Sequence, residues 1–536
     1  MIETIQKLWP EITLFVTACL VMIAGLSPER AVRRLTGPIS IMGLLVAGAL
    51  ALYLPEPQRS VMPGLASYGK AITAGMGVLL ILLMSGLPDR ELEESIDRSG
   101  GRATFEPLRS NRAEFYGFVL FSLTGLMLCA GANDLIWLFL ALELTSLPTY
   151  VMVAISTPRS RSMEAGVKYF FLGALGAAMF LYGFGLIYGA TGTTHLDEVR
   201  LALTGAGAAE PGVLLSVGLL LATLGIGVKI AAVPMHFYTP DVYQGAAAPV
   251  SGFLAFVPKA AGFFALMLLA SAVGWQYGPG GESLPGMLYA ALWIMAVATM
   301  TVGNVLAILQ NSVKRILAYS SIAHSGYMLV GLIAGPGRAG EGSGAFATNG
   351  LAAVLFYIVS YGVMNLGAFA VLASLERRAR DGVHEEIDAV GDLRGLCATN
   401  PVLGWTMVLS SVGLLGLPLT LGFVAKLPLF TAGIAAGEIP LVIILGINSA
   451  IAAFYYLRLA AAPLLEAPEE SIAGPARRTP FGARIAAGLV SAAAVIVLGL
   501  VSAPLSRAAE KAAQPRQTAA SPRSAPTVPV TAADRR

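Results

Sequence analysis

The chain has 536 residues, of which 56% are hydrophobic and only 12% charged, with a net charge of +3. Soluble domains average about 45–50% apolar and about 25% charged, so this chain lacks the polar surface of a soluble globule and is far too hydrophobic to stay disordered. The small net charge argues against a nucleic-acid partner. The three scattered cysteines (Cys19, Cys129, Cys397) offer neither a disulfide framework nor a metal cluster.

The apolar content supplies about fourteen spans of ~20 residues. The runs are too long and unbroken for the ~10-residue alternation of a membrane β-barrel. The expected fold is therefore an all-α polytopic membrane protein. The N-terminus opens directly into span 1 (12–27), with no basic start, short apolar core and cleavage site of a signal peptide. Spans 2 and 3 follow at 38–55 and 68–87, and then a polar connector at 88–114. Spans 4–8 are expected at 115–132, 134–155, 164–189, 212–234 and 246–272. Spans 9–13 follow at 286–309, 316–334, 349–374, 402–433 and 439–463, and span 14 at 484–503. The tail 504–536 is rich in Ala, Pro, Ser, Thr and Arg and reads as disordered.

Spans 4–8 and 9–13 form two groups of five. The third member of each is rich in small and aromatic residues (KYFFLGALGAAMF, LFYIVSYGVMNLGAF), and the fourth has a mid-span proline near a lysine. An odd number of helices per copy forces the second copy to be inverted, as in many secondary transporters. The organisation is thus a three-span segment (1–111), two five-span repeats (112–272 and 286–463), a last span (464–503) and the tail (504–536). Alternate loops carry 20 Lys and Arg on one side but only Lys7, Arg59, Arg200 and Arg338 on the other. The basic side is expected to face the cytoplasm and both termini the periplasm.

The two kinds of cation are separated. All 27 Arg lie in loops, at span ends or in the tail, whereas Lys70, Lys168, Lys229, Lys259 and Lys426 fall inside or at the edge of apolar segments. Each buried Lys costs at least ~2.5–3.5 kcal/mol, and Lys, unlike Arg, can give up its proton. Lys70 and Lys168, near span starts, fit snorkelling or a static ion pair. Lys229, Lys259 and Lys426 fit a proton path. Glu143, nine residues after Asp134 in NDLIWLFLALELTSLPTYVMV, lies deep in span 5 and needs a cationic partner or a proton. Asp134 heads its helix, where an acid suits the dipole.

Pro148, Pro234, Pro258 and Pro418 accompany these charges, and spans 7 and 12 are expected to break. Of the four histidines, His195 and His384 read as solvated loop residues. His236, just past span 7, and His324, in span 10, could relay protons. The histidine spacing offers no metal site, and there is no Walker A loop and no GxGxxG after a strand, so no bound nucleotide is expected.

Several stretches then carry a family resemblance: RAEFYGFVLFSLTGLMLCAGANDLIWLFLALELTSLPTYVMVA, EAGVKYFFLGALG, GVKIAAVPMHFYTPDVYQGAAAPVSGFLAFVPKAAGF, KRILAYSSIAHSGYMLVGL and GLLGLPLTLGFVAKLPLF. Together they run over about residues 112–433. They resemble the antiporter-like membrane subunits of respiratory complex I (NADH–quinone oxidoreductase), and SLPTYV and TPDVYQG resemble the N type among them. The resemblance implies redox-driven proton translocation. Glu143 and Lys229 match the family's charged pair, Lys259 its central lysine, and Lys426 the lysine on the second broken helix. It also implies that NAD, FMN, iron–sulfur clusters and quinone belong to partner subunits, with no cofactor on this chain. The implied partners are M-type and small K-type membrane subunits in a bacterial inner membrane. The chain departs from the pattern at Ala247, where the family has Pro, at Met235 and Tyr238 beside His236, and at Leu419 after Pro418. Two other classes share some of these features. A Mrp-type or stand-alone cation/proton antiporter would carry the same charges, and a passive scaffold would tolerate their loss.

Overall fold

A computed structural model describes residues 7–54, 60–98, 105–204, 212–275, 284–337, 346–378, 384–467 and 477–515. It opens with α1 (Trp9–Gly25), a short α2 (Arg30–Arg34) running into α3 (Thr36–Tyr53), and α4 (Pro63–Leu83). After a surface helix, α5 (Arg90–Arg98), come α6 (Arg112–Ala130), α7 (Leu135–Ile155), α8 (Ser160–Thr191) and α9 (Leu196–Thr204). The first interrupted span follows as α10 (Val213–Lys229) and α11 (Thr239–Gly245), and then α12 (Ala248–Val273). Next are α13 (Gly286–Ile308), α14 (Val313–Ala334) and α15 (Gly350–Ala373), followed by strands β1 (Leu375–Arg378) and β2 (His384–Glu386) and a short α16 (Leu396–Thr399). The second interrupted span is α17 (Pro401–Leu415) and α18 (Leu421–Ala435). The described chain ends with α19 (Ile439–Leu465), β3 (Arg477–Arg478), α20 (Gly482–Leu500) and α21 (Ala503–Ala512).

Among the described residues, eleven helices are long and apolar enough to cross a membrane. Fourteen spans were expected. The difference falls at α1, α10, α17 and α18, which are apolar but shorter. Helix ends follow local chemistry. Asp134 caps α7 by accepting from Ile136 N (2.7 Å), and Asn349 caps α15 by accepting from Ala352 N (3.0 Å). Pro63, Pro240, Pro249, Pro401 and Pro440 occupy first turns, where a missing N–H costs nothing. Pro148 and Pro258, in contrast, lie inside unbroken α7 and α12.

These helices are apolar all round, so hydrophobicity does not choose the face that packs, and small residues do. On α8, Gly183 lies so close to α10 that a Cβ there would fall 2.5 Å from the backbone nitrogen of Ala222. At the centre, every position of α12 and α15 is buried, and on α14 only Arg315 escapes. Polar side chains on these three helices therefore meet protein rather than lipid.

The segments outside the long helices carry structure of their own, and at the tail this corrects an expectation. The connector 88–114 is ordered over its described part: it holds α5 and a 3-10 turn (Pro107–Arg109), and the pairs Arg90–Glu376 (2.6 Å), Arg112–Glu93 (3.0 Å) and Arg30–Asp97 (2.9 Å) fix it. The all-α membrane fold also carries a small surface sheet in which β1 pairs antiparallel with both β2 and β3. The tail does not begin disordered. Ala509, Ala512 and Ala513 share one face of α21 and are buried, and Gly64 of α4 leaves room for the backbone of Lys511 and Ala512. Residues 516–536 of the tail lie outside the described residues.

Candidate functional site

The first break positions Lys229. It is the last residue of α10, where the helix C-terminus carries partial negative charge and favours a cation. Its Nζ donates to Glu143 Oε1 (3.0 Å) and to Ser146 Oγ (2.7 Å), which lie one turn apart on α7. The amine is 3% exposed and the carboxylate 17%. The loop 230–238 exposes backbone groups that lipid could not satisfy, and protein hydroxyls take them up. Tyr238 OH donates to Val228 O (2.6 Å), Ser325 Oγ to Ile230 O (2.5 Å), and Thr299 Oγ1 accepts from Val233 N (2.9 Å). Ala231 holds a left-handed backbone there, φ 55°.

Lys259, on α12, bonds both the carbonyl and the hydroxyl of Ser321 on α14, the hydroxyl at 2.7 Å. Among the described residues, no carboxylate pairs with it. Lys229 and Lys259 line one small internal cavity, with Tyr169, Tyr238, Tyr243 and Ser321 on its walls. About 10 Å³ of it is open to a water centre, the order of space one water occupies.

From Lys259 the polar line continues along α14. Tyr361 lies under the Lys259 amine (4.7 Å) and against the His324 ring (4.8 Å). His324 Nε2 meets Tyr456 OH at 2.7 Å, and Nδ1 meets Tyr357 OH at 2.7 Å. A neutral imidazole between two hydroxyls accepts at one nitrogen and donates at the other, and exchange of the tautomers moves a proton across the ring. Tyr327 packs against His324 (5.3 Å) and lies under the Lys426 amine (5.5 Å).

The second break, 416–420, is built differently. Gly416 at φ 86° ends α17, and Leu419 also takes a left-handed backbone, φ 73°. Lys426, on α18, reaches back to the exposed end of α17 and donates to Leu415 O (2.8 Å) and Leu414 O (3.2 Å). Here the ammonium itself satisfies the orphaned carbonyls. Gly422 is required beside it, since a Cβ would overlap Gly413 O at 1.7 Å.

The structure thus brings Glu143, Lys229, Lys259, His324 and Lys426 into one buried polar line. His236 lies on the first break loop, its ring tilted against Phe237 (4.6 Å), and among the described residues no ion pair joins it to that line. Lys70 forms a local pair with Glu11 (2.8 Å), and half-exposed Lys168 pairs with Glu164 (2.8 Å) and Asp241 (2.9 Å). Sequence reasoning missed the neutral links Ser146, Tyr243, Ser321, Tyr327, Tyr357, Tyr361 and Tyr456. The run AYSSIAHSGY in α14 places Ser321, His324 and Ser325 within one turn of each other, and that spacing was the available signal.

A family described as NADH:quinone oxidoreductase/Mrp antiporter, TM, matches residues 132–452. The NADH-quinone oxidoreductase subunit N of Myxococcus xanthus is 35% identical over 525 residues, covering 93% of this chain and 95% of that one. A chain of respiratory complex I from Thermus thermophilus with bound aureothin superposes with a TM-score of 0.71 at 30% identity, covering 93% of this chain and 98% of that one. A chain of the Mrp complex from Dietzia also reaches 0.71, at 18% identity and with 96% and 97% coverage, and so shares the fold.

Proposed function

The chain belongs to the NADH:quinone oxidoreductase/Mrp antiporter membrane family, among the subunit N proteins, and from that premise we propose that it is a proton-translocating membrane subunit of a respiratory complex I. The observation that carries the reading is the alignment of one carboxylate, three amines and an imidazole through the interior of the bundle, along and beside the buried helices α12, α14 and α15.

A proton is held on Lys229 while Glu143 is ionised beside it. Loosening that pair removes the compensation for a buried ammonium, and the proton moves across the water-sized cavity to Lys259. It then passes along Ser321, His324 and the tyrosines to Lys426. His236, beside the first break, is a further candidate in the same path. Redox chemistry, with NAD, FMN, iron–sulfur clusters and quinone, belongs to partner subunits, and this chain takes part in catalysis only as a component of the translocase. Its partners are other membrane subunits of M and K type and the lipid of a bacterial inner membrane. The basic loops face the cytoplasm and both termini the periplasm, and 112–272 and 286–463 act as two inverted five-helix units.

The test is Lys229→Ala and Glu143→Ala in the intact complex, read as NADH-driven proton uptake by inside-out membrane vesicles. Both should be severely slowed, and full uptake in both would overturn the reading. The antiporter alternative rests on the shared family and fold. It requires Na⁺ or K⁺ exchange for H⁺ by the isolated protein in liposomes.

A further inference from the structure

We propose that Lys314 and Glu386 form a second acid–base pair, an inlet through which protons reach Lys259 from the basic face of the bundle without passing Lys229. The proposal rests on the reading of this chain as a proton conductor.

Lys314 is the second residue of α14 and is only 6% exposed, although the sequence places it in a loop. Its Nζ donates to Glu386 Oε2 (2.7 Å) and to Ala246 O (2.9 Å). Glu386, at the end of β2, also accepts from Ala248 N (2.8 Å) at the start of α12. This repeats the chemistry of Lys229: a buried amine shared between one carboxylate and one neutral oxygen. The difference is access. Lys314 and Glu386 line a cavity of about 450 Å³ whose rim includes Arg159, Gln244, Glu385 and Asp388.

Inward from the pair, Ser321 lies seven residues along α14, two turns or about 10.5 Å of rise on the same face. Ser321 Oγ bonds Lys259 (2.7 Å) and stands 3.3 Å from Tyr243 OH. Tyr243 lies on α11, one turn before Ala246, whose carbonyl holds Lys314. The α11–α14 seam therefore has a titratable pair at its outer end and Lys259 at its inner end, and the proposed transfer requires water from the cavity to bridge the turns between.

A purely mechanical role does not need this pair. Asp388 already clamps the segment, accepting from Ser312 Oγ (2.8 Å), Lys314 N (3.1 Å) and Gln244 Nε2 (3.0 Å). A second clamp made of a buried ammonium adds a desolvation cost that a neutral hydrogen bond would avoid. In the transfer, Lys314 gives one proton inward and recovers one from Glu386, which takes its own from cavity water. Tyr243 and Ser321 each accept one proton and pass one on, and the Lys259 amine becomes an ammonium. One proton moves and the pair is restored.

The test uses the intact complex in inside-out vesicles, with NADH-driven proton uptake as the readout and Lys259→Met as reference. Lys314→Arg keeps the charge and the ion pair but cannot release a proton. It should assemble and lose a clear part of the uptake, though less than the reference, because the Lys229 route to Lys259 remains. Glu386→Gln, which keeps an acceptor oxygen, should lose it too, and Glu386→Asp should restore it. If Lys259→Met pumps normally, the conductor reading itself fails. If Lys259→Met is impaired while Lys314→Arg and Glu386→Gln pump at the unmodified rate, only the inlet fails. An assembled Glu386→Asp complex that shows no rescue assigns the pair a structural role and likewise overturns the inlet.

Discussion

Lys229 shares its proton environment with a carboxylate, whereas Lys259 and Lys426 bond only to neutral oxygens. Among the described residues, a charge on either of the latter faces dipoles and a tyrosine ring but no carboxylate, and the proposed path requires each to hold a proton and also lose it. Lys259→Arg tests this at one atom. A guanidinium keeps the charge near Ser321 but stays protonated, so proton uptake by the complex should fall as far as with Lys259→Met. The Glu143–Lys229 pair is a stability statement as well. Lys229→Ala strands a largely buried carboxylate and should cost about 3 kcal/mol, while the Glu143→Ala/Lys229→Ala double variant should recover part of that loss. Thermal inactivation of the complex measures both. Asp134→Ala removes a helix cap together with the bond its carboxylate accepts from Thr194 Oγ1 (2.5 Å) and its contact with His195 (3.4 Å), and should cost about 1–2 kcal/mol with proton uptake intact.

The helices place those residues through their interruptions and their close crossings. Both breaks contain a non-glycine residue in the left-handed region, Ala231 and Leu419, a conformation that costs roughly 1–2 kcal/mol for an L residue. Leu419 is 71% exposed, so its side chain contributes little packing. Leu419→Gly should therefore raise the thermal midpoint of the complex by the equivalent of about 1 kcal/mol, and a lowered midpoint would mean that the leucine packs against something outside this chain. The α8–α10 crossing is the opposite case. Gly183→Val drives a side chain into the backbone of Ala222, where the neighbour cannot turn away. The displacement is carried along α10 to Lys229 at its end. A loss of about 1–3 kcal/mol in stability, with slower proton uptake, is expected from overpacking at this site.

At the scale of the molecule, the surface sheet, α5 and α21 fasten the bundle from outside. Arg484 at the head of α20 is buried and caps two other helices, donating to Ser85 O (2.7 Å) beyond α4 and to Ala373 O (2.5 Å) at the end of α15. α21 lays a small apolar face on α4 and α15, the latter being the innermost helix of the second half. Deleting residues from 503 onward should uncover that part of α4 and α15 and lower the yield of assembled complex, read on a native gel, while a Gly64→Leu variant that blocks the same contact should do so more mildly.

Composition and run length alone settled that this is a helical membrane protein, because lipid admits no other use for so many unbroken apolar segments. The rarity of charge inside those segments also marked Glu143, Lys229, Lys259 and Lys426, since burial is costly enough that each must have a purpose. The hydroxyls, the imidazole geometry and the pairing of Lys314 with Glu386 were not legible. Serine and tyrosine cost little in an apolar helix and so leave at most the helical spacing of AYSSIAHSGY as a signature, and Glu386, 72 positions along the chain, meets Lys314 only once the chain folds back. The same holds for α21, whose alanines look like low-complexity tail until α4 supplies the surface they bury against. Sequence decides which groups are too expensive to place in lipid without a reason, and tertiary structure alone decides which neutral oxygens stand next to them, because a hydrogen-bond partner is chosen by distance in space.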